Sequence, residues 1–147
     1  MAVETVDILL VEDSEDDAAL FRHALEGSGL RPRVKILRDG AQALASIFGP
    51  APQADALPIL LPRLIVLDLK LPKVSGLEVL HRLKANPHTR IIPVVILSSS
   101  QEKRDLAESY SLGVNSYLVK PMDFDEFTRL VNALGQYWLQ LNQIPKP

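Results

Sequence analysis

The sequence predicts a doubly wound α/β fold, in which a parallel five-stranded sheet lies between two layers of helices. Three observations support this prediction. Short apolar runs alternate with amphipathic stretches in five successive units along the 147 residues. The runs are apolar almost throughout, which is typical of parallel strands that are covered on both faces. The segments between them are long enough for right-handed helical crossovers.

The first unit begins with the strand "VDILLV", residues 6–11. Ser14 follows as a helix N-cap, since its hydroxyl oxygen can accept a hydrogen bond from the first helical turn. The helix then carries its apolar side chains on one face and ends at "EGSG". These side chains are Ala18, Phe21, Ala24 and Leu25.

The second unit pairs a short strand, residues 34–37, with a helix in "RDGAQALASIF" that opens after Asp39-Gly40. In the third, "RLIVLDL" is the most strongly apolar strand of the chain, and "SGLEVLHRLKAN" is a helix that ends before Pro87. The fourth unit is the strand "PVVILS" and a helix that stops at Gly113. The fifth is "NSYLVK" and a last helix over residues 123–141. Together they predict a flavodoxin-like, three-layer α/β/α sandwich.

Composition excludes several classes of protein. The net charge of −2 and the lack of a basic cluster argue against nucleic-acid binding. With no cysteine there can be no disulfide, zinc–thiolate site or thiol nucleophile. Neither a signal peptide nor a membrane-spanning run is recognisable, so we expect a cytoplasmic protein. We expect one domain over residues 1–147, with a core at about 5–135 and an extended C-terminal helix and tail at 136–147.

Polar residues stand where the predicted strands end. Glu12 and Asp13 follow the first strand, Asp68 ends the third, Ser98 ends the fourth and Lys120 ends the fifth. Carboxyl ends of parallel strands share one edge of the sheet, so these side chains should converge. Clustered carboxylates without cysteine or histidine favour Mg²⁺ or Mn²⁺. A metal with a lysine beside it can receive a phosphoryl group, with Asp68 as the nucleophile and Ser98 as a hydroxyl donor.

The stretches "ILLVEDS", "VLDLKLPKVSGLEVL", "PVVILSSS" and "SYLVKPMD" resemble, in this order, the receiver domain of two-component response regulators (CheY-like). The resemblance implies that Asp68 accepts a phosphoryl group from a phosphohistidine on a sensor histidine kinase. It also implies that Asp13 and Asp68 bind Mg²⁺ directly, with the backbone carbonyl of Lys70 as a third protein ligand. Glu12 would act mainly through water on the metal.

The same resemblance assigns the switch. Lys120 would hold a phosphoryl oxygen, Ser98 would be the switch hydroxyl, and Tyr117 would be the aromatic side chain that turns inward on activation. Tyr117 could instead be an ordinary half-buried strand residue. The Lys120–Pro121 peptide resembles a bond that is cis in the family.

Other functions use similar residues. A metal-dependent aspartyl phosphohydrolase would normally have a second acid two positions after its nucleophile, where this chain has Lys70. An unphosphorylated interaction module would not need the acids or the lysine, all of which are present. A phosphate sink, which drains its kinase without signalling, also remains open.

Two regions exceed a minimal receiver domain. "FGPAPQADALPILLPRL" is longer than most connections, and the run at residues 59–61 should either pack down or meet a partner. The last helix has an apolar stripe that outruns the sheet, so we expect a symmetric homodimer through this helix and the tail; the alternative is a tail folded back on its own domain. The stripe comprises Phe124, Phe127, Val131, Leu134, Trp138 and Leu141. The chain also resembles the single-domain response regulators of bacterial and cyanobacterial phytochrome kinases, which implies a light-regulated kinase as partner.

Overall fold

A computed structural model describes residues 4–50 and 55–145. Its sheet has five parallel strands in the order β2-β1-β3-β4-β5. The strands are β1 (Glu4–Val11), β2 (Val34–Leu37), β3 (Leu60–Leu67), β4 (Val94–Ser98) and β5 (Ser116–Val119). The helices are α1 (Glu15–Glu26), α2 (Gly40–Phe48), α3 (Gly76–Ala85), α4 (Lys103–Ser111) and α5 (Phe124–Gly135), and a π-helical segment, Gln136–Leu141, continues α5. The predicted fold and element order are confirmed.

Each face of the sheet has its own apolar core because successive strand residues point to opposite faces. In β1, Ile8 and Leu10 pack with α1 and α5, whereas Leu9 and Val11 pack with α2 and α3. The helix face predicted for α1 is buried throughout. Ser14 caps α1 as predicted, its side chain accepting a hydrogen bond from the N–H of Asp17 at 3.2 Å.

β3 begins earlier than the sequence indicated. Leu60 is fully buried and pairs with Glu4, so most of the apolar run at residues 59–61 packs down, while Ile59 stays 51% exposed. Pro62 lies inside β3, although proline cannot donate to a ladder. It is tolerated there because β4 pairs with β3 only from Ile65 onward, which leaves the first half of β3 with one open edge.

The C-terminal stripe reaches the core between Phe127 and Trp138. Phe127, Val131 and Leu134 are buried, whereas Phe124 is 50% and Leu141 69% exposed. After Gly135 the helix widens to π geometry, and the N–H of Asn142 donates to the carbonyl of Tyr137.

Beyond this turn the tail contacts its own domain, as the folded-back alternative predicts, and the homodimer stays a prediction. The guanidinium of Arg63 donates to the carbonyl oxygen of Leu139. Ile144 and Pro145 line a largely apolar groove of about 750 Å³ together with Leu57 and Ile91. None of the helices in residues 4–50 and 55–145 is long and apolar enough to cross a membrane.

Candidate functional site

The polar strand-end residues lie at one edge of the sheet, as predicted. Glu12 and Asp13 follow β1, Asp68 follows β3, Lys120 follows β5, and Ser98 is the last residue of β4. Because all five strands are parallel, their carboxyl ends meet at this edge.

The ammonium group of Lys120 connects the acids. Its Nζ donates to Oε1 of Glu12 at 2.6 Å, to Oδ2 of Asp17 at 2.9 Å and to Oδ2 of Asp68 at 3.3 Å. The side chains of Lys120, Asp68 and Glu12 are only 13%, 12% and 4% exposed. Breaking such a buried pair leaves an uncompensated charge, so the lysine is required for this arrangement of carboxylates.

Asp17 is the site residue that sequence reasoning missed. In the first turn of α1 an acid is explained well enough by the helix dipole, which favours negative charge there. The available signal was its position four residues after Asp13, at the start of a helix that begins directly beyond β1. A side chain there can turn back toward the strand ends and reach Lys120.

Burial dominates the electrostatics of Glu12. It raises the pKa of Glu12 to about 7; the hydrogen bond from Lys120 opposes this shift, while the negative charge of Asp68 adds to it. Burial alone would lower the pKa of Lys120. The hydrogen bonds to Glu12 and Asp17 and the charge of Asp68 outweigh that effect and raise the pKa above its ordinary value, so the lysine stays charged.

The loop after β3 fixes the carboxylate of Asp68. Its Oδ1 accepts a hydrogen bond from the N–H of Leu69 at 2.7 Å. Gly76 packs directly on this loop: its N–H donates to the carbonyl of Leu69 at 2.9 Å, and an added Cβ would lie 2.0 Å from the carbonyl oxygen of Asp68. Lys70 is exposed two residues beyond Asp68. The role of its carbonyl as a metal ligand stays a prediction.

The predicted switch residues are linked through the loop between β4 and α4. Ser98 is 1% exposed, and its Oγ accepts a hydrogen bond from the N–H of Ser100 at 3.2 Å. Tyr117 is half-buried against the α2–α3 side of the core, and its hydroxyl donates to the carbonyl of Ser100 at 2.9 Å. In this structure Tyr117 already lies against the loop that follows Ser98.

The prediction of a cis Lys120–Pro121 peptide is wrong, because the described residues contain no cis peptide bond. The trans isomer is the intrinsically favoured one for a bond to proline. Lys120 is directed into the site without it, since its N–H donates to the carbonyl of Ser98 at 2.8 Å and its long side chain spans the remaining distance.

Three carboxylates fit a hard divalent cation. Glu12, Asp13 and Asp68 each offer an oxygen, and these atoms lie within 4.8 Å of one another. Oxygen ligands without nitrogen or sulfur suit Mg²⁺ or Mn²⁺. Asp13 is exposed, which gives an ion access from solvent.

This arrangement of acids, lysine and hydroxyl agrees with the comparison to known families. The response regulator receiver domain model matches residues 8–132. The chain belongs to this family. Receiver domains are signalling modules that accept a phosphoryl group from a histidine kinase, and the strand-end cluster of this receiver domain contains carboxylates, a lysine and a hydroxyl suited to such an acceptor.

Relatives match this receiver domain over nearly its whole length. The probable methanogenesis regulatory protein FilR2 of Methanothrix harundinacea is 43% identical over 140 residues, which is 95% of this chain and 88% of that protein. Response regulator Rcp1 of Synechocystis sp. is 39% identical over 143 residues, 94% of this chain and 92% of that one.

Solved structures also match the receiver domain. The Mn²⁺-bound form of Rcp1 has a TM-score of 0.83 at 37% identity, covering 96% of this chain and 99% of that one. The phosphorylated cyanobacterial phytochrome response regulator RcpA has a TM-score of 0.84 at 35% identity, covering 97% and 100%. One of these relatives thus binds a divalent metal and the other is phosphorylated.

Proposed function

We propose that this receiver domain acts as a single-domain response regulator over residues 1–147, accepting a phosphoryl group on Asp68. The observation that carries the assignment is the position of the Asp68 carboxylate. It lies 3.3 Å from the Lys120 ammonium, and one of its oxygens lies within 4.8 Å of oxygens of Glu12 and Asp13. A nucleophile placed between a lysine and a metal-binding set is arranged for phosphoryl transfer rather than for structural pairing alone.

In the transfer, a carboxylate oxygen of Asp68 forms a bond to phosphorus while the bond from phosphorus to the donor's histidine nitrogen breaks. The released imidazole keeps the electron pair of that bond. Lys120 then holds a phosphoryl oxygen, and the Ser98 hydroxyl donates to another. Asp13, Asp68 and the backbone carbonyl of Lys70 would hold Mg²⁺, with Glu12 acting mainly through water on the metal, and the ion would supply positive charge against the developing negative charge. The acyl phosphate carries up to about two negative charges where the Asp68 carboxylate carried one.

Measurement of the intact mass tests whether Asp68 is the phosphoryl acceptor. After treatment with a small phosphodonor and Mg²⁺, the native chain should gain one phosphoryl group, and chelation should block the gain. Asp68→Asn should gain none, while Asp16→Asn, which removes an exposed acid in the first turn of α1, should be labelled like the native chain. Persistent labelling of Asp68→Asn would contradict the assignment. Turnover of a small phosphoester would favour the phosphohydrolase alternative over a protein that catalyses only its own phosphorylation and dephosphorylation.

The partner we propose is a phytochrome-type sensor histidine kinase in the cytoplasm. RcpA, a phytochrome response regulator, supports this pairing. It is 35% identical to this chain, and the match covers 97% of this chain. Phosphotransfer from a red-light-responsive kinase should label Asp68 and should change with illumination. Equal labelling by an unrelated histidine kinase would contradict the pairing.

We propose that the output is a changed affinity for a protein partner, not DNA binding; a partner that binds equally before and after labelling would favour a phosphate sink.

We also propose a homodimer through the exposed side of the C-terminal helix and tail. Phe124, Tyr137 and Leu141 are 50%, 49% and 69% exposed, so these side chains are available for contact with a second copy. Sedimentation at tens of micromolar should give a dimer, and Leu141→Glu should give a monomer. A native monomer under the same conditions would end this proposal.

A further inference from the structure

Ser100 is bonded to three parts of the switch region at once. Its N–H donates to Oγ of Ser98 at 3.2 Å, and its carbonyl accepts from the hydroxyl of Tyr117 at 2.9 Å. Its own hydroxyl donates to Oδ2 of Asp105 at 2.5 Å, in the first turn of α4. Ser100 is buried, with 9% of its surface exposed, so these bonds form with little competition from water.

The hydroxyl of Ser100 also contacts the backbone at the start of α4. Glu102 occupies the N-cap position, but its side chain makes no cap hydrogen bond. Instead the N–H of Glu102 donates to Oγ of Ser100 at 3.3 Å. Only Ser109 is buried within α4, so apolar packing holds this helix weakly and polar ties at its start carry more weight.

A displacement of the Ser98 side chain can reach Ser100 through their hydrogen bond. The Oγ of Ser98 accepts the N–H of Ser100, which leaves the Ser98 proton available for a phosphoryl oxygen on Asp68. When Ser98 moves toward that oxygen, the backbone of Ser100 follows. Both the Tyr117 hydroxyl and the Asp105 carboxylate are bonded to Ser100, so both must adjust.

We propose that Ser100, through its hydroxyl bond to Asp105, is the positioning residue that couples phosphorylation of Asp68 to the arrangement of α4. This inference rests on the proposed function and deepens it. Ser100 touches neither the acceptor nor the incoming group. Its loss uncouples the response of α4 while leaving the transfer to Asp68 in place.

The test combines three measurements on the full chain with a small phosphodonor and Mg²⁺. Intact mass reports labelling of Asp68. Fluorine NMR of 3-fluorotyrosine protein, assigned with Tyr117→Phe, reports the surroundings of Tyr117. Amide hydrogen exchange reports α4. In the native chain, phosphorylation should change both the Tyr117 signal and the exchange rates of α4.

In Ser100→Ala, labelling should persist while the exchange rates of α4 no longer respond to it. Without phosphodonor, the first turn of α4 should exchange about 2- to 10-fold faster, as expected for one lost hydrogen bond. Asp105→Ala should show the same loss of response and the same faster exchange in α4. The double variant should show no larger effect than either single variant. Asp105→Asn keeps a carbonyl acceptor and should retain the response.

Ser109→Ala is the matched control. Its hydroxyl donates to the backbone carbonyl of Asp105 at 2.7 Å, so this variant also loses a serine hydrogen bond in α4 but keeps the link to Ser100. It should respond like the native chain. If α4 in Ser100→Ala and Asp105→Ala still responds to labelling, the coupling is wrong and the acceptor assignment stands. If the native chain is not labelled, both fall.

Discussion

Replacing Gly76 by alanine tests how tightly the loop after β3 is built around Asp68. An added Cβ would lie 2.0 Å from the carbonyl oxygen of Asp68 and 2.7 Å from Cα of Leu69. Because such contacts essentially never fall below 3.0 Å and both atoms belong to the backbone, the loop or the start of α3 must move by about 1 Å.

The cost follows from two opposing terms. Alanine is the better helix former at this first position of α3 and stabilises by about 1 kcal/mol. Overpacking against a backbone that cannot rotate away costs about 3 kcal/mol, the upper end for added methyl groups. We therefore expect Gly76→Ala to lower the free energy of unfolding by about 2 kcal/mol and the Tm by about 4–8 °C. A shift of about 1 Å at Asp68 should also slow labelling by about 100-fold.

Gly27→Ala is the control for this experiment. Gly27 has an ordinary φ of −72°, and the nearest atoms to an added Cβ lie at 3.7 and 3.9 Å. This variant should be as stable as the native chain or more stable by about 0.5 kcal/mol, with unchanged labelling. Urea unfolding and timed intact-mass spectra measure both quantities. Equal unfolding free energies for native chain and Gly76→Ala would refute the close approach.

Three further predictions concern lysine and arginine contacts. In the presence of a chelator, Lys120→Met should lower the free energy of unfolding by about 2 kcal/mol because the buried acids lose their cation. Lys103→Met, which removes an exposed lysine, should leave it unchanged. Equal urea midpoints for the two variants would contradict the prediction. Burial lowers the pKa of Lys84 to about 8 from 10.5, so between these pH values the unfolded chain binds more protons than the folded one. The native free energy of unfolding should therefore rise with pH across this window relative to Lys84→Met, and a constant difference would count against it. Arg63→Met removes the hydrogen bond to Leu139, so amides of the tail should exchange about 2- to 10-fold faster, in contrast to Arg104→Met.

The edge at which the site lies could be predicted because it follows from sheet geometry. Apolar strands in alternation with helices require parallel pairing, and parallel pairing brings Asp13, Asp68 and Lys120 together without any knowledge of side-chain contacts. The N-cap of α1 and its buried face were predictable for a similar reason, since both depend on spacing within a few residues.

Contacts between residues far apart in the sequence were harder to predict. Asp17 reaches Lys120 across 103 residues, and nothing local distinguishes it from an acid that merely favours a helix start. The path of the tail depends on a π-helical turn and on Arg63 meeting Leu139, 76 residues away. The predicted start of β3 was too late because a proline such as Pro62 usually indicates a loop. Pro62 is acceptable in this strand because β4 does not pair with β3 at that point.

The site holds more negative charge than its one lysine can balance. Glu12, Asp13, Asp17 and Asp68 against Lys120 give a formal charge of −3 when all are ionised. Burial relieves part of this repulsion by raising the pKa of Glu12 to about 7. Phosphorylation would replace the single negative charge of the Asp68 carboxylate with up to about two on the acyl phosphate, which Lys120 alone cannot offset. A divalent cation and the phosphoryl group must therefore favour each other's presence, and by linkage each raises the affinity for the other by the same factor. Equal Mg²⁺ affinities for phosphorylated and unphosphorylated chains would show that the acids serve the fold and not the transfer.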